Sequence, residues 1–318
     1  MSEAILDDVV LPFSVEALDV RGRVVRLGPA IDTIIRRHGY PDKVSRAIAE
    51  AAALTALLGT SLKFEGRFQL QTKTDGPVDM LVVDFDAPDR MRAYARFDAE
   101  RVAAVPENDI GALLGGGYLA MTIDQGGDMN RYQGVVPLEG QSLEEVAHQY
   151  FRQSEQIPTR VRLAVAEATE AGGAASWRAG GLMVQFLPVS PERQRQQEFD
   201  PGDAPEGVTL PTFSEDDAWL EAKALVDTIE DHELVDPLLS SERLLYRLFH
   251  ERGAKVFERQ SVREACRCSR ERILQMFSKF SAEDRRGLVG EDGRIGVTCE
   301  FCSTHYTFEA QEVADLEA

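Results

Sequence analysis

Two stretches near the C-terminal end decide the reading: Glu264-Ala265-Cys266-Arg267-Cys268-Ser269-Arg270-Glu271-Arg272, and Cys299-Glu300-Phe301-Cys302. They hold all four cysteines of the 318-residue chain, in the pattern C-x-C, thirty intervening residues, C-x-x-C. Two close thiol pairs supply the ligand count of a tetrahedral zinc site. Thiolates at about 2.3 Å suit Zn²⁺, and four of them close its coordination shell. A closed shell leaves no position for a substrate water, so the pattern points to structure or regulation rather than to zinc catalysis. Four buried, unligated thiols are the plain alternative. His305, three residues after Cys302, is a possible substitute ligand.

Around the cysteines the signals are local. Ser269 is placed to cap a helix that carries Ile273, Leu274 and Phe277 on one face, and Ser281 offers a second cap. Asp292-Gly293 turns the chain into a strand over Ile295–Thr298, Cys299–Cys302 forms a hairpin tip, and Tyr306–Phe308 returns. A module of roughly sixty residues buries too little apolar surface to be comfortably stable alone. Structural zinc contributes about 10–16 kcal/mol in small peptides, whereas a disulfide contributes about 2–4 kcal/mol and less for a short loop. The one-residue gap between Cys266 and Cys268 is tighter than the usual zinc-ligand spacing. Joined to each other, these two thiols form a very small, strained ring. The expectation is a switch: metal holds the module folded and oxidation unfolds it.

Composition sets the background. The formal charge is −19 and 43% of residues are hydrophobic. So acidic a chain is a poor fit to nucleic acid, whose binders neutralise phosphates with Lys and Arg, or to an anionic membrane surface. The N-terminus is acidic and lacks an apolar signal segment, and the longest apolar run, Ala51–Leu58, is far below the roughly 20 residues of a membrane span. A cytoplasmic protein is expected, and in a reducing cytosol paired cysteines more often bind metal or do redox work.

The expected fold class is α+β. Residues 1–190 read as a mixed-sheet core domain with packed helices, 191–255 as an acidic linker with amphipathic helices, and 256–318 as a small zinc-binding domain. In the first region, strands are expected over Phe13–Leu18 and Val24–Leu27 about an Arg21-Gly22 turn, then a helix between Pro29 and Gly39. An Ala-rich helix over Asp42–Leu58 and strands over Arg67–Lys73, Val78–Phe85, Met91–Phe97, Tyr118–Ile123 and Tyr132–Val136 follow. Ser142-Leu-Glu-Glu145 is a capping box, and Arg160–Ala166 and Gly181–Leu187 complete the set. Residues 191–236 hold 14 acidic against 3 basic residues, more than half of the net charge. Helical runs follow Ser214 and Ser241; the second carries Leu244, Leu245, Leu248 and Phe249. Isolated helices of this length are marginal in water, so they must lean on something, and a loosely anchored linker is expected.

At these residues the chain resembles the heat-shock protein 33 family of bacterial redox-regulated holdase chaperones. Cys266-Arg-Cys268-Ser-Arg-Glu-Arg272 and Cys299-Glu-Phe-Cys302 with His305-Tyr306-Thr-Phe308 are similar to its C-terminal signature. Tyr150-Phe151-Arg-Gln-Ser154-Glu155-Gln156 and the Gly115-Gly-Gly-Tyr-Leu region are similar to its core segments. The resemblance implies a non-enzyme that holds one Zn²⁺ per chain on Cys266, Cys268, Cys299 and Cys302 and is inactive while reduced. It implies that oxidation joins Cys266 to Cys268 and Cys299 to Cys302, releases zinc, and unfolds module and linker. Apolar surface, with Leu244, Leu245, Leu248 and Phe249 as candidates, then binds unfolding client proteins without ATP, and the active form is a homodimer. The competing reading is a nucleic-acid- or ribosome-associated protein with a purely structural zinc ribbon.

Other motifs carry less. Gly115–Gly117 lacks the Lys-Ser/Thr of a phosphate loop and reads as a strand-entry turn. His232-Glu233 begins like a zinc-protease motif, but position 236 is Asp. No G-x-S-x-G elbow occurs. Ser154-Glu155-Gln156 reads as a helix-end cap. Arg267, Arg270 and Arg272 either lower the thiol pKa values or form a solvated helix face.

Overall fold

The Ala-rich segment is the axis of the fold. The computed structural model describes residues 7–61, 66–106, 109–126, 131–169, 175–187, 216–314 and 316. In it Asp42–Gly59 is a helix buried on nearly every side, from Val44 and Ala47 to Leu57. A helix apolar all round belongs inside a protein, and alanines let two layers approach it closely. Those layers are two six-stranded sheets.

The first sheet contains β1 (Val9–Val15), β2 (Val20–Leu27), β8 (Thr159–Thr169) and β9 (Ala175–Phe186), in the order β1-β2-β9-β8. The second contains β3 (Arg67–Thr74), β4 (Val78–Asp86), β5 (Arg90–Phe97), β6 (Gly116–Asp124) and β7 (Tyr132–Glu139), in the order β5-β4-β3-β6-β7. Helices α1 (Pro29–His38), α2 (Asp42–Gly59), α3 (Ala99–Ala104), α4 (Ile110–Leu114) and α5 (Leu143–Tyr150) are interleaved. The α+β expectation holds. So do the capping box at Ser142, the Gly39 stop with its positive φ, and the strand-entry role of Gly115–Gly117, where the Asp75 carboxylate accepts from the Gly116 amide.

One expected turn is wrong. Arg21-Gly22 lies inside β2, and the chain reverses earlier, through a 3₁₀ turn at Glu16–Leu18 with Asp19 in the left-handed region. The glycine serves packing instead: a Cβ at Gly22 would overlap the ring of Phe13 on the neighbouring strand. The helix begun at Ser142 passes at Tyr150 into a π-helical turn over Phe151–Glu155.

The outer face of the first sheet is covered by α6 (Asp217–Asp227), α7 (Asp231–Val235) and α8 (Ser241–Phe249). Trp219, Val226, Ile229, Leu244, Leu245, Leu248 and Phe249 form a second core there with Leu11, Phe13, Val24 and Val184. Burial of each large apolar side chain contributes about 1.5–3 kcal/mol. These helices are not loosely anchored. The Arg26 guanidinium, 2% exposed, donates to the carbonyls of Glu233 and Asp236 at 2.8 and 2.9 Å, and Arg178 donates to that of Val235 at 2.8 Å. These carbonyls sit at the C-terminal end of α7, where cations complement the helix dipole. Burial and the neighbouring Arg178 pull Arg26 down to about 10, so it stays charged at neutral pH. The first half of the acidic stretch, 188–215, lies outside the described residues.

The chain then crosses back. β10 (Lys255–Val256) and β11 (Gln260–Ser261) pair antiparallel with β1, and β12 (Arg263–Glu264) pairs parallel with β5. One short segment thus adds to both sheets immediately before Cys266. The last elements are α9 (Arg270–Phe277), α10 (Ala282–Gly287), the hairpin β13 (Arg294–Thr298) and β14 (His305–Glu309), and α11 (Ala310–Ala314).

The contact between α7 and the first sheet is tested by Gly180 on β9, where an added Cβ would overlap the Leu234 carbonyl. Gly180→Ala is expected to lift the helices over Asp217–Phe249 and raise their amide exchange about ten-fold or more, the factor for ~1.4 kcal/mol of local opening. Exchange in α2 should stay unchanged. Unaltered protection in these helices would contradict this account.

Candidate metal centre

The cysteines reach one point because two turns aim them there. Cys266 and Cys268 leave β12 just before α9, whose N-cap Ser269 accepts from the Arg272 amide. Cys299 and Cys302 lie at the tip of the β13–β14 hairpin, held by a bond from the Ser303 amide to the Cys299 carbonyl at 2.8 Å, with Ser303 in the left-handed region. All four sulfurs lie within 4.8 Å of one another. The Cys266–Cys299 sulfurs are 3.7 Å apart and the Cys268–Cys302 sulfurs 3.3 Å.

Four thiolates at this range repel one another strongly, and the surroundings show it. Burial, with the neighbouring thiols, pushes Cys268 up to about 12 and raises Cys299 as well. Burial also opposes ionisation of Cys302, but hydrogen bonds from the Thr304 hydroxyl and amide outweigh it and bring that thiol to about 7. The Tyr306 hydroxyl, 3.2 Å from the Cys268 sulfur, is held up to about 12 by that contact. A soft divalent cation removes the conflict, and the donor set of four sulfurs fits Zn²⁺. His305 is not among the converging groups: its Nδ1 meets the Thr298 hydroxyl at 2.9 Å.

The core beneath this cluster is small: Ile273, Phe277, Ile295, Phe308 and Val313. Most of the module's anchorage lies on the outer face of the second sheet. There the Asp84 carboxylate, completely buried, takes Arg92 at 2.6 Å and Arg267 at 2.8 Å on one oxygen, and Gln69 at 2.8 Å on the other. Arg267 Nε also lies 3.2 Å from Asp86, which Arg67 holds from the other side at 3.1 Å. Burial alone would pull Arg92 down, but its bonds to Asp84 and to the Cys266 sulfur keep it above its ordinary value. The same guanidinium stacks over the Phe301 ring at 3.8 Å. His38 at the end of α1 completes the seat, with Nε2 2.8 Å from the Glu300 carbonyl and Nδ1 2.9 Å from the Ile34 carbonyl.

The solvated-face reading fits the exposed Arg272, whereas the Arg267 side chain is only 16% exposed. Arg267 is a docking residue on Asp84, Arg270 ties α9 to Glu312 and the Thr307 carbonyl, and Arg272 donates to the Arg267 carbonyl. Sequence reasoning passed over Asp84, Arg92 and His38. The available signal was the alternation Val82-Val83-Asp84-Phe85-Asp86 within an apolar strand.

A chain with this sulfur cluster, set on this double sheet, can be compared with known proteins. The model of the Hsp33 protein family matches residues 8–309. The chain belongs to the Hsp33 family. It is 48% identical over 309 residues to the 33 kDa chaperonin of Caulobacter vibrioides, covering 96% of both chains. It is 33% identical over 314 residues to that of Ectopseudomonas mendocina, covering 98% of this chain and 96% of the other. The fold matches the crystal structure of the 33 kDa chaperonin (heat shock protein 33 homolog) from Thermotoga maritima with a TM-score of 0.75 and 20% identity, covering 97% of each chain. The family is a chaperone family, and no described helix is long and apolar enough to cross a membrane.

Two ion pairs test the docking. Asp84→Asn leaves Arg92 without its carboxylate and Arg267 with only the Asp86 contact, so a loss of about 3 kcal/mol in urea denaturation is expected. Asp89→Asn breaks a pair with Arg263, whose side chain is 60% exposed, so at most about 1 kcal/mol is expected. Similar losses for both would show that Asp84 is not the anchor.

Proposed function

We propose that this chain is a redox-regulated, ATP-independent holdase held inactive by one Zn²⁺ on Cys266, Cys268, Cys299 and Cys302. The observation that carries the reading is the convergence of the four sulfurs over a module with a five-residue buried core. The bound metal would supply charge neutralisation and a cross-link between the two ends of the module, with no open position for catalysis. Arg267 seats the Cys266–Cys268 turn on Asp84, and Phe301 seats the Cys299–Cys302 turn on Arg92.

A two-electron oxidant such as peroxide or hypochlorite takes two electrons from each pair of thiolates and leaves an S–S bond in each. The pairing is Cys266 with Cys268 and Cys299 with Cys302, which would leave none of the four thiolates to hold a metal. The close sulfur contacts of 3.7 and 3.3 Å run between the pairs rather than within them. Neighbour pairing therefore draws each sulfur away from the common point and undoes both turns. About 10–16 kcal/mol of metal binding is replaced by less than the usual contribution of about 2–4 kcal/mol from each disulfide, because the loops are short, and the module cannot stay folded. Its loss removes Arg267 from Asp84 and the β10–β12 segment from both sheets. The linker helices follow, exposing the surface under Leu244, Leu245, Leu248 and Phe249 to unfolding clients, and the oxidised chain associates as a homodimer in the cytoplasm.

Suppression of light scattering from an aggregating client, without ATP, is expected only after oxidant treatment, together with release of one equivalent of zinc to a chelating dye. Equal protection before and after oxidation would overturn the switch. Cys266→Ser with Cys268→Ser is expected to abolish zinc retention and leave the module unfolded. Peptide mapping showing disulfides between the pairs instead of within them would overturn the proposed pairing.

A further inference from the structure

A second site lies at the opposite side of the chemistry, between the two sheets. Side chains alternate along β2, so Arg21 and Arg23 point to the same side as Val25 and Leu27, which pack in the central core with α2. Beyond the end of α2 these arginines open onto a cavity of about 500 Å³, within the usual range of about 300–1,000 Å³ for small-molecule sites. Its apolar wall comes from Leu58 on α2, from Phe68 and Ile123, which are register partners on β3 and β6, and from Phe151 in the π-helical turn.

The polar groups of this cavity do not balance. Arg21 donates to the Gln185 side chain at 3.3 Å. The Ser61 hydroxyl is spent on the Leu58 carbonyl at 2.6 Å. Glu155 accepts the Tyr150 hydroxyl at 2.9 Å. Arg23 is different: its Nε is buried with no hydrogen-bond partner, and the charge that acts on it is the like charge of Arg21. Two guanidiniums against one carboxylate leave a positive charge in excess, and an unsatisfied buried donor is costly to keep. A guanidinium fork is the shape that takes a carboxylate through two parallel bonds.

We propose that this cavity binds a small organic monocarboxylate with an apolar body, its carboxylate on Arg23 and Arg21 and its tail against Phe68, Ile123 and Phe151. The proposal stands on the cavity alone and does not depend on the redox reading.

The test is calorimetric titration of the reduced full-length chain with octanoate, octan-1-ol and inorganic phosphate. Octanoate is expected to bind at submillimolar concentration, the alcohol about ten-fold or more weakly, as loss of one charge-assisted contact implies, and phosphate not detectably. Arg23→Gln is expected to fold, since it removes a half-buried guanidinium whose Nε has no partner, and to bring octanoate down to the affinity of the alcohol. Ile123→Trp, which fills the cavity and leaves the charges in place, is expected to abolish binding of both. No octanoate binding at millimolar concentration, or equal binding by wild type and either variant, would overturn the proposal. Phosphate binding as tight as octanoate would overturn it too, by showing a simple anion site.

Discussion

A carboxylate with no access to water needs positive charge brought to it, and Asp84 obtains half of that charge from outside its own sheet. Arg92 comes from the adjacent strand, but Arg267 comes from between two zinc-ligand candidates, 183 residues along the chain. Any arrangement that removes Arg267 leaves Asp84 with Arg92 as its one charged partner beside Gln69, and leaves a second guanidinium to find water. The C-terminal module is thus coupled to the core through electrostatics that tolerate little intermediate displacement. A greasy contact would loosen gradually; a buried ion pair does not.

The other attachments lie in series with this one. Residues 255–264 contribute short strands to both sheets, and among the linker helices before them α7 ends on carbonyls held by Arg26 and Arg178. The apolar surface beneath these helices is extensive, yet the segments covering it are short and strongly acidic. Their stability comes from the apolar face they bury and from the arginine ties at α7 rather than from helix propensity. Cutting one end of such an assembly has consequences well beyond the cut.

Much of the metal centre was legible because thiol chemistry is written in spacing: two close pairs need no knowledge of topology to be read as one site. The buried helix over Asp42–Gly59 and the caps at Ser142, Ser269 and Ser281 were legible for a similar reason, since each depends on near neighbours. Asp84 was not, because its partners lie on other strands and on the far module, and strand register is a tertiary property. The two-residue strands over 255–264 are too short for any period to show. Gly22 misled because a glycine beside an arginine reads as a turn, whereas its lack of a side chain serves the Phe13 ring. The linker's charge suggested weak anchorage, and the arginines that hold it are on strands whose pattern is otherwise apolar.

Pro12 carries a further consequence. It sits in the middle of β1, and its carbonyl accepts the Phe257 amide at 3.0 Å, so this position faces the edge that residues 255–261 cover. The missing N–H of proline faces the same way. When the covering segment departs, β1 becomes a bare sheet edge of otherwise adhesive sequence, Val9-Val-Leu-Pro-Phe-Ser-Val15. An interrupted row of donors cannot template a continuous new ladder. If that edge were bared, copies of the chain could not zip together strand by strand along it into fibres.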